Sequence, residues 1–174
     1  MDKFSYEIGR IAGILECFSY VNNKTNHGFS FEIKVLDAKK TIEDSSTAYL
    51  RNMYPDSEIN FESVSDWKSV LKSCFEKWLF CYQPHRDDEG NMIEGGCGSY
   101  FSYLKDIDNS FSMSDSGFRE EFIIEILASI ESTLNVIRAV QVHLNTKEWY
   151  ECDWNDLALE GKNGNLFLHL GVSD

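Results

Sequence analysis

The chain has 174 residues and a formal charge of −13, from 29 acidic side chains against 16 lysines and arginines. A 43% hydrophobic share with 14% aromatics is enough for one packed core and excludes a globally disordered chain. No run of eighteen apolar residues is present, which argues against a membrane-spanning helix, and the acidity disfavours general attraction to nucleic acid phosphates or anionic lipid. The expectation is a single domain over residues 1–174.

Phe4, Ile8, Ile11, Ala12, Leu15 and Phe18 recur at helical spacing and predict a first helix over 3–21, ended by the turn chemistry of Asn22 to Thr25. Phe29, Phe31, Ile33 and Val35 then alternate with Ser30, Glu32 and Lys34, a half-buried strand. Asp37 reads as the cap of a weaker helix through Met53, with Ile42, Tyr49, Leu50 and Met53 turned inward. Ile59, Phe61 and Val64 suggest a short strand. A stronger helix starts near Asp66, buries Trp67, Val70, Leu71, Cys74, Phe75, Trp78, Leu79 and Tyr82, and stops at Pro84.

Gln83 to Ser99 reads as a long loop, acidic first (Asp87, Asp88, Glu89, Glu94) and then glycine-rich. A short helical segment over 100–107 and a Ser-rich linker over 109–117 follow. Phe122, Ile123, Ile126, Leu127, Ile130 and Leu134 define the main core helix over 117–134. From Val136 the period changes to two, so this helix is expected to feed directly into a strand over 138–145. Trp149 to Glu160 reads as extended, with Tyr150, Cys152 and Trp154 on one face. Leu157 and Leu159 shift the alternation by one, which predicts a bulge near Asn155-Asp156. Asn163-Gly164 is the strongest hairpin signal, leading to a closing strand with Leu166, Leu168 and Leu170 on one face. The fold class expected is α+β, with the helices 3–21, 66–82 and 117–134 on one face of an antiparallel C-terminal β-meander, joined by the 29–35 strand.

No motif carries recognisable chemistry. An EF-hand alignment on Gly90 places Gly96 where a bidentate Glu is needed, and Phe111 stands at the glycine position of the Asp106–Ser110 alternative. Cys81 and His85, with Cys97, are too loosely spaced for a zinc site. Cys97-Gly98-Ser99-Tyr100 resembles the papain-type signature, but Tyr100 stands where that signature has its nucleophile. The glycines at 95, 96 and 98 lack the GK[ST] of a phosphate loop. No cofactor, metal or catalytic residue is therefore assigned. Five cysteines, widely spaced and without a CxxC pair, point to a reducing compartment, and Cys17, Cys74 and Cys81 read as small hydrophobes. With Met1-Asp2-Lys3 leading straight into an amphipathic pattern rather than a secretory signal, the expected location is cytoplasmic.

What stands out is a mixed aromatic and acidic surface. Trp149, Glu151, Asp153 and Asp156, with the loop acids Asp87, Asp88, Glu89 and Glu94, are the candidate partner-binding residues: rings supply contact area and carboxylates supply steering. Tyr150 and Trp154 read as core. A small, acidic chain without a catalytic constellation is similar to bacterial immunity proteins, which cover a cognate, often basic, toxin domain. That resemblance implies a non-enzymatic module with a basic protein partner, a toxin domain or nuclease, and no direct contact with nucleic acid or membrane. Self-association as a homodimer is left open. Two alternatives stand beside it: a small enzyme or small-molecule binder with a pocket between helices and sheet, using Cys97, His85 or His143, and an inhibitor that mimics nucleic acid.

Overall fold

A computed structural model describes residues 2–23, 28–80 and 116–173, together with the backbone of 85–86 and 92–93. Four helices, α1 (Lys3–Asn22), α2 (Ile42–Met53), α3 (Trp67–Leu79) and α4 (Ser116–Leu134), accompany five long strands. These are β1 (Phe29–Leu36), β2 (Glu58–Val64), β5 (Val136–Asn145), β6 (Asp153–Gly161) and β7 (Gly164–Val172), and they form one antiparallel sheet in the order β1-β7-β6-β5-β2. A separate two-residue ladder, β3 (His85–Arg86) with β4 (Met92–Ile93), falls within the stretch read as loop. The acids Asp87, Asp88, Glu89 and Glu94, the cysteines Cys81 and Cys97, and the segments 100–107 and 109–115 lie outside the described residues.

As expected for an α+β chain, α1, α3 and α4 share one face. Ile8, Ile11, Leu15 and Phe18 of α1, Leu71, Phe75 and Trp78 of α3, and Ile123, Ile126 and Ile130 of α4 pack on Phe31, Ile33, Leu157, Leu159, Leu166, Leu168 and Leu170. Side-chain oxygens hold the helix starts: Asp2 accepts from the Ser5 N–H at 2.9 Å, and Asp66 from the Ser69 N–H at 3.1 Å. At the other end, buried Asn22 donates to the Trp78 carbonyl at 2.9 Å and ties the last turns of α1 and α3 together.

The second face is covered too, by α2. Ile42 and Leu50 join Leu36, Val140, Val142, Leu144, Ala158 and Phe167 in a smaller core. Two local expectations are corrected here. Thr41, not Asp37, caps this helix, accepting from the Asp44 N–H at 3.1 Å; Asp37 instead accepts from Lys39 within a preceding turn. Met53, the last residue of α2, is in phase with Ile42 and Ser46 but sits at the helix end and is exposed. Cys17 is likewise exposed rather than packed.

No bulge interrupts β6 near Asn155-Asp156: residues 153–161 pair with β7 in unbroken register, and the only irregularity of the meander lies between Val136 and Arg138. The apparent slip arises because both faces are buried. Trp154 and Ala158 serve the second face while Leu157 and Leu159 serve the first, so apolar residues occupy both phases of the alternation.

The change of period after Leu134 is a single residue wide. Asn135 takes a positive φ of 53°, which ends α4, and β5 starts at Val136. The β6–β7 hairpin caps that helix end. Lys162 N–H donates to the Asn135 carbonyl at 3.1 Å, Asn163 N–H to Leu134 at 3.2 Å, and the Asn163 side chain to Thr133 at 2.8 Å. This close approach requires Gly161, where a Cβ would sit 2.3 Å from the Leu134 carbonyl oxygen and 2.5 Å from its Cγ. Gly161→Ala is expected to destabilise the fold by about 2–4 kcal/mol, read as a lower urea midpoint at unchanged m-value. A loss below about 0.5 kcal/mol would show that the hairpin does not bear on α4 as described.

Candidate functional site

Strand alternation gathers an unusual polar group on the second face, beside the C-terminal end of α2. Phe29 and Phe31 face the helical layer, so Ser30 between them faces the other way; the same parity turns His169 away from Leu168 and Leu170, and Asp156 away from Leu157. Asp156 and His169 are directly opposite across β6 and β7, and Ser30 sits diagonally on β1, opposite Gly171. The connection between β5 and β6 folds over them and adds Tyr150 and Glu151. Gly171 makes room: a Cβ there would lie 2.9 Å from His169 Nε2 and 3.0 Å from Glu151 Cγ.

The hydrogen bonds form one chain. Tyr150 Oη donates to Asp156 Oδ2 at 2.8 Å, and His169 Nδ1 lies 2.7 Å from Asp156 Oδ1. On the other side of the ring, Nε2 is 3.0 Å from Ser30 Oγ and 3.4 Å from Glu151 Oε1, while Ser30 Oγ donates to that same Oε1 at 2.5 Å. All donors find acceptors when the imidazole carries both protons. Burial alone would lower the His169 pKa, but the hydrogen bonds and charges of Asp156 and Glu151 override it and push it up to about 9. Burial, with the Asp156 carboxylate next, holds the Tyr150 phenol well above its usual range. The group is thus an imidazolium held between two carboxylates, inside the protein. Glu151 Oε2 has no hydrogen-bond partner among the described residues.

Ser30, His169 and Asp156 have the distances of a nucleophile–base–orienter relay. The proton arrangement opposes that use: the serine proton goes to Glu151, and an imidazole already carrying two protons cannot accept a third. What the arrangement does accomplish is positional. It fastens Tyr150 and Glu151, and through them the 146–152 connection, to the floor of the sheet.

The described partner-binding candidates divide accordingly. Asp156 is 2% exposed and fully engaged, and the Glu151 side chain is 9% exposed, so both belong to the buried network rather than to a contact surface. Asp153, three residues before Asp156 and therefore on the opposite face, is exposed and pairs with Lys77 at 2.8 Å. It lines a groove of about 310 Å³ with Gln141 and His143. Trp149 is 67% exposed. Tyr150 and Trp154 pack edge to face at 5.3 Å, and Tyr54 of the α2 cap closes on Tyr150 at 5.2 Å; Tyr150 packs against the second core, while Trp154 is half-buried at its margin.

Sequence reasoning missed Ser30 and His169. The available signal was that Leu166, Leu168 and Leu170 already account for one face of β7, which makes a flanking His beside Phe167 a candidate for a second buried face.

Comparison with known proteins adds no relative: no family model matches the chain, and no curated protein or solved structure matches it either. Among the described residues, no helix is long and apolar enough to cross a membrane.

Proposed function

We propose that this chain is a non-catalytic protein-binding module that docks a basic partner, in the manner of bacterial immunity proteins that cover a cognate toxin domain. The observation that supports the reading is Trp149, 67% exposed on a connection whose next two residues are held in the buried network. A large aromatic presented on a preorganised backbone loses little entropy on binding, which is what an interface anchor needs. Glu148 and exposed Asp153 stand close by in the chain, and the overall charge of −13 would steer a cationic partner and speed its capture. Asp87, Asp88, Glu89 and Glu94 contribute four of the chain's acidic charges and belong to the same proposal. The same reading places the chain in the cytoplasm, with its cysteines reduced.

The test is co-expression with the product of the adjacent reading frame, followed by calorimetric titration of the purified pair. Trp149→Ala is expected to weaken binding roughly thirtyfold, about 2 kcal/mol, with Tm unchanged. Reversing Asp87, Asp88, Glu89 and Asp153 together is expected to slow association and flatten its salt dependence. Asp156 is left intact in this test, because its change acts through the stability of the 146–152 connection rather than through a contact with the partner. If Trp149→Ala and the charge reversal both bind like the wild type, this surface is wrong.

A further inference from the structure

We infer that the free edge of β1 is a self-pairing surface through which two copies of this chain join their sheets into one. Among the described residues, β1 is an outer strand, bonded only to β7. Ser173 N–H donates to the Gly28 carbonyl at 2.8 Å, which makes Gly28 and Ser173 a hydrogen-bonded pair of that ladder. Alternation along the register then assigns Ser30, Glu32, Lys34 and Leu36 to β7 and turns the N–H and C=O groups of Phe29, Phe31, Ile33 and Val35 outward. Those of Phe29 are already occupied: its N–H donates to Asn23 Oδ1 at 2.5 Å, and its carbonyl accepts from Ser19 Oγ at 2.6 Å. Among the described residues, nothing bonds to the outward groups of Phe31, Ile33 and Val35. Beside them runs a groove of about 510 Å³ between the strand and Ala12, Glu16, Ser19 and Tyr20 of α1.

Charge identifies the occupant. Glu32 and Lys34 both project from the second face, exposed and 3.3 Å apart. In an antiparallel pairing of β1 with its own copy, only registers that bring odd-numbered residues together satisfy the outward groups. Centring on Ile33 sets Phe31 opposite Val35 and Glu32 opposite Lys34 of the other copy, twice by symmetry. A shift one way sets Glu32 against Glu32, and a shift the other way sets Lys34 against Lys34. A single register is thus both hydrogen-bonded and charge-complementary, and it covers Val35, which is 55% exposed. The opposite edge of the sheet lacks this property. β2 carries Glu58 and Glu62 without a cation, so a copy of itself would meet like charge.

Sedimentation equilibrium of the full chain from micromolar to millimolar concentration should show a reversible dimer. Glu32→Lys and Lys34→Glu, each of which creates two like-charge pairs, should weaken it roughly tenfold. The double exchange, which restores opposite charges, should recover it. Val35→Pro removes an outward N–H that no described residue accepts and should leave a monomer with unchanged circular dichroism and melting. A chain that stays monomeric throughout, a dimer indifferent to Val35→Pro, or a double exchange no better than the single ones would each overturn the inference. None of these outcomes depends on a toxin partner, so they leave the proposed function to its own test.

Discussion

Raising the pH from about 6.5 to about 9 is expected to cost the folded state about 3 kcal/mol. His169 has a folded pKa of about 9 against an ordinary value of 6.5. Its contribution is therefore fully present below pH 6.5, where the ring is charged in both states, and it is lost as pH rises through 9. The groups facing the ring are Asp156 from β6, Glu151 and Tyr150 from the β5–β6 connection, and Ser30 and Glu32 from β1. Once the imidazolium loses its proton, two buried carboxylates face each other without a cation between them. The tyrosines nearby do not titrate in this window. Burial holds Tyr150 and Tyr54 above their ordinary value and pushes Tyr49 up to about 12. Urea midpoints collected across this range should fall steadily for the wild type. His169→Gln, which carries no charge at any of these pH values, should start lower and stay flat. A flat wild-type profile, or the same slope in the variant, would refute the charged sandwich.

Asp156→Ala is expected to destabilise the chain by about 3–5 kcal/mol, since removing one partner leaves a buried charge uncompensated. The change strips the acceptor from both His169 Nδ1 and Tyr150 Oη and opens a void where the carboxylate stood. For a domain of this size the melting temperature should drop by roughly 10 °C. The damage should also be local. With Tyr150 unfastened from the sheet, the 146–152 connection should become sensitive to limited proteolysis at temperatures well below melting. Asp156→Asn keeps the volume and one acceptor and should lose less. A drop under about 1 kcal/mol for the alanine variant would mean the network decorates the sheet rather than holding the connection. Because Trp149 adjoins the fastened residues, Asp156→Ala should also weaken partner binding, although Asp156 touches no partner.

The elements themselves were legible along the chain wherever one period was sustained. Ile8, Ile11, Leu15 and Phe18 identify α1, and the break from Leu134 to Val136 marks the helix-to-strand junction that Asn135 makes with one positive φ. The Asn163-Gly164 signal located the final hairpin. Legibility failed where burial was two-sided. In β6, Leu157 and Ala158 belong to opposite cores, and a rule built for half-buried strands reads such two-sided burial as a slip. It failed again for the acids, since composition counts Glu151, Asp153 and Asp156 alike while only Asp153 faces water.

Local periodicity is a property of a few consecutive residues, so the sequence alone determined the α+β class, the three helices of one face and the C-terminal meander. Which strand lies beside which, and which charges end up buried together, depends on contacts between residues far apart in the chain. Only the tertiary structure decided that β1 pairs with β7 at one end of the sheet order, that α2 covers the second face, and that Ser30 meets Glu151 and His169 across more than a hundred residues. An imidazolium survives in that interior because two carboxylates and their hydrogen bonds replace the water it loses, an environment that no single segment of the chain contains.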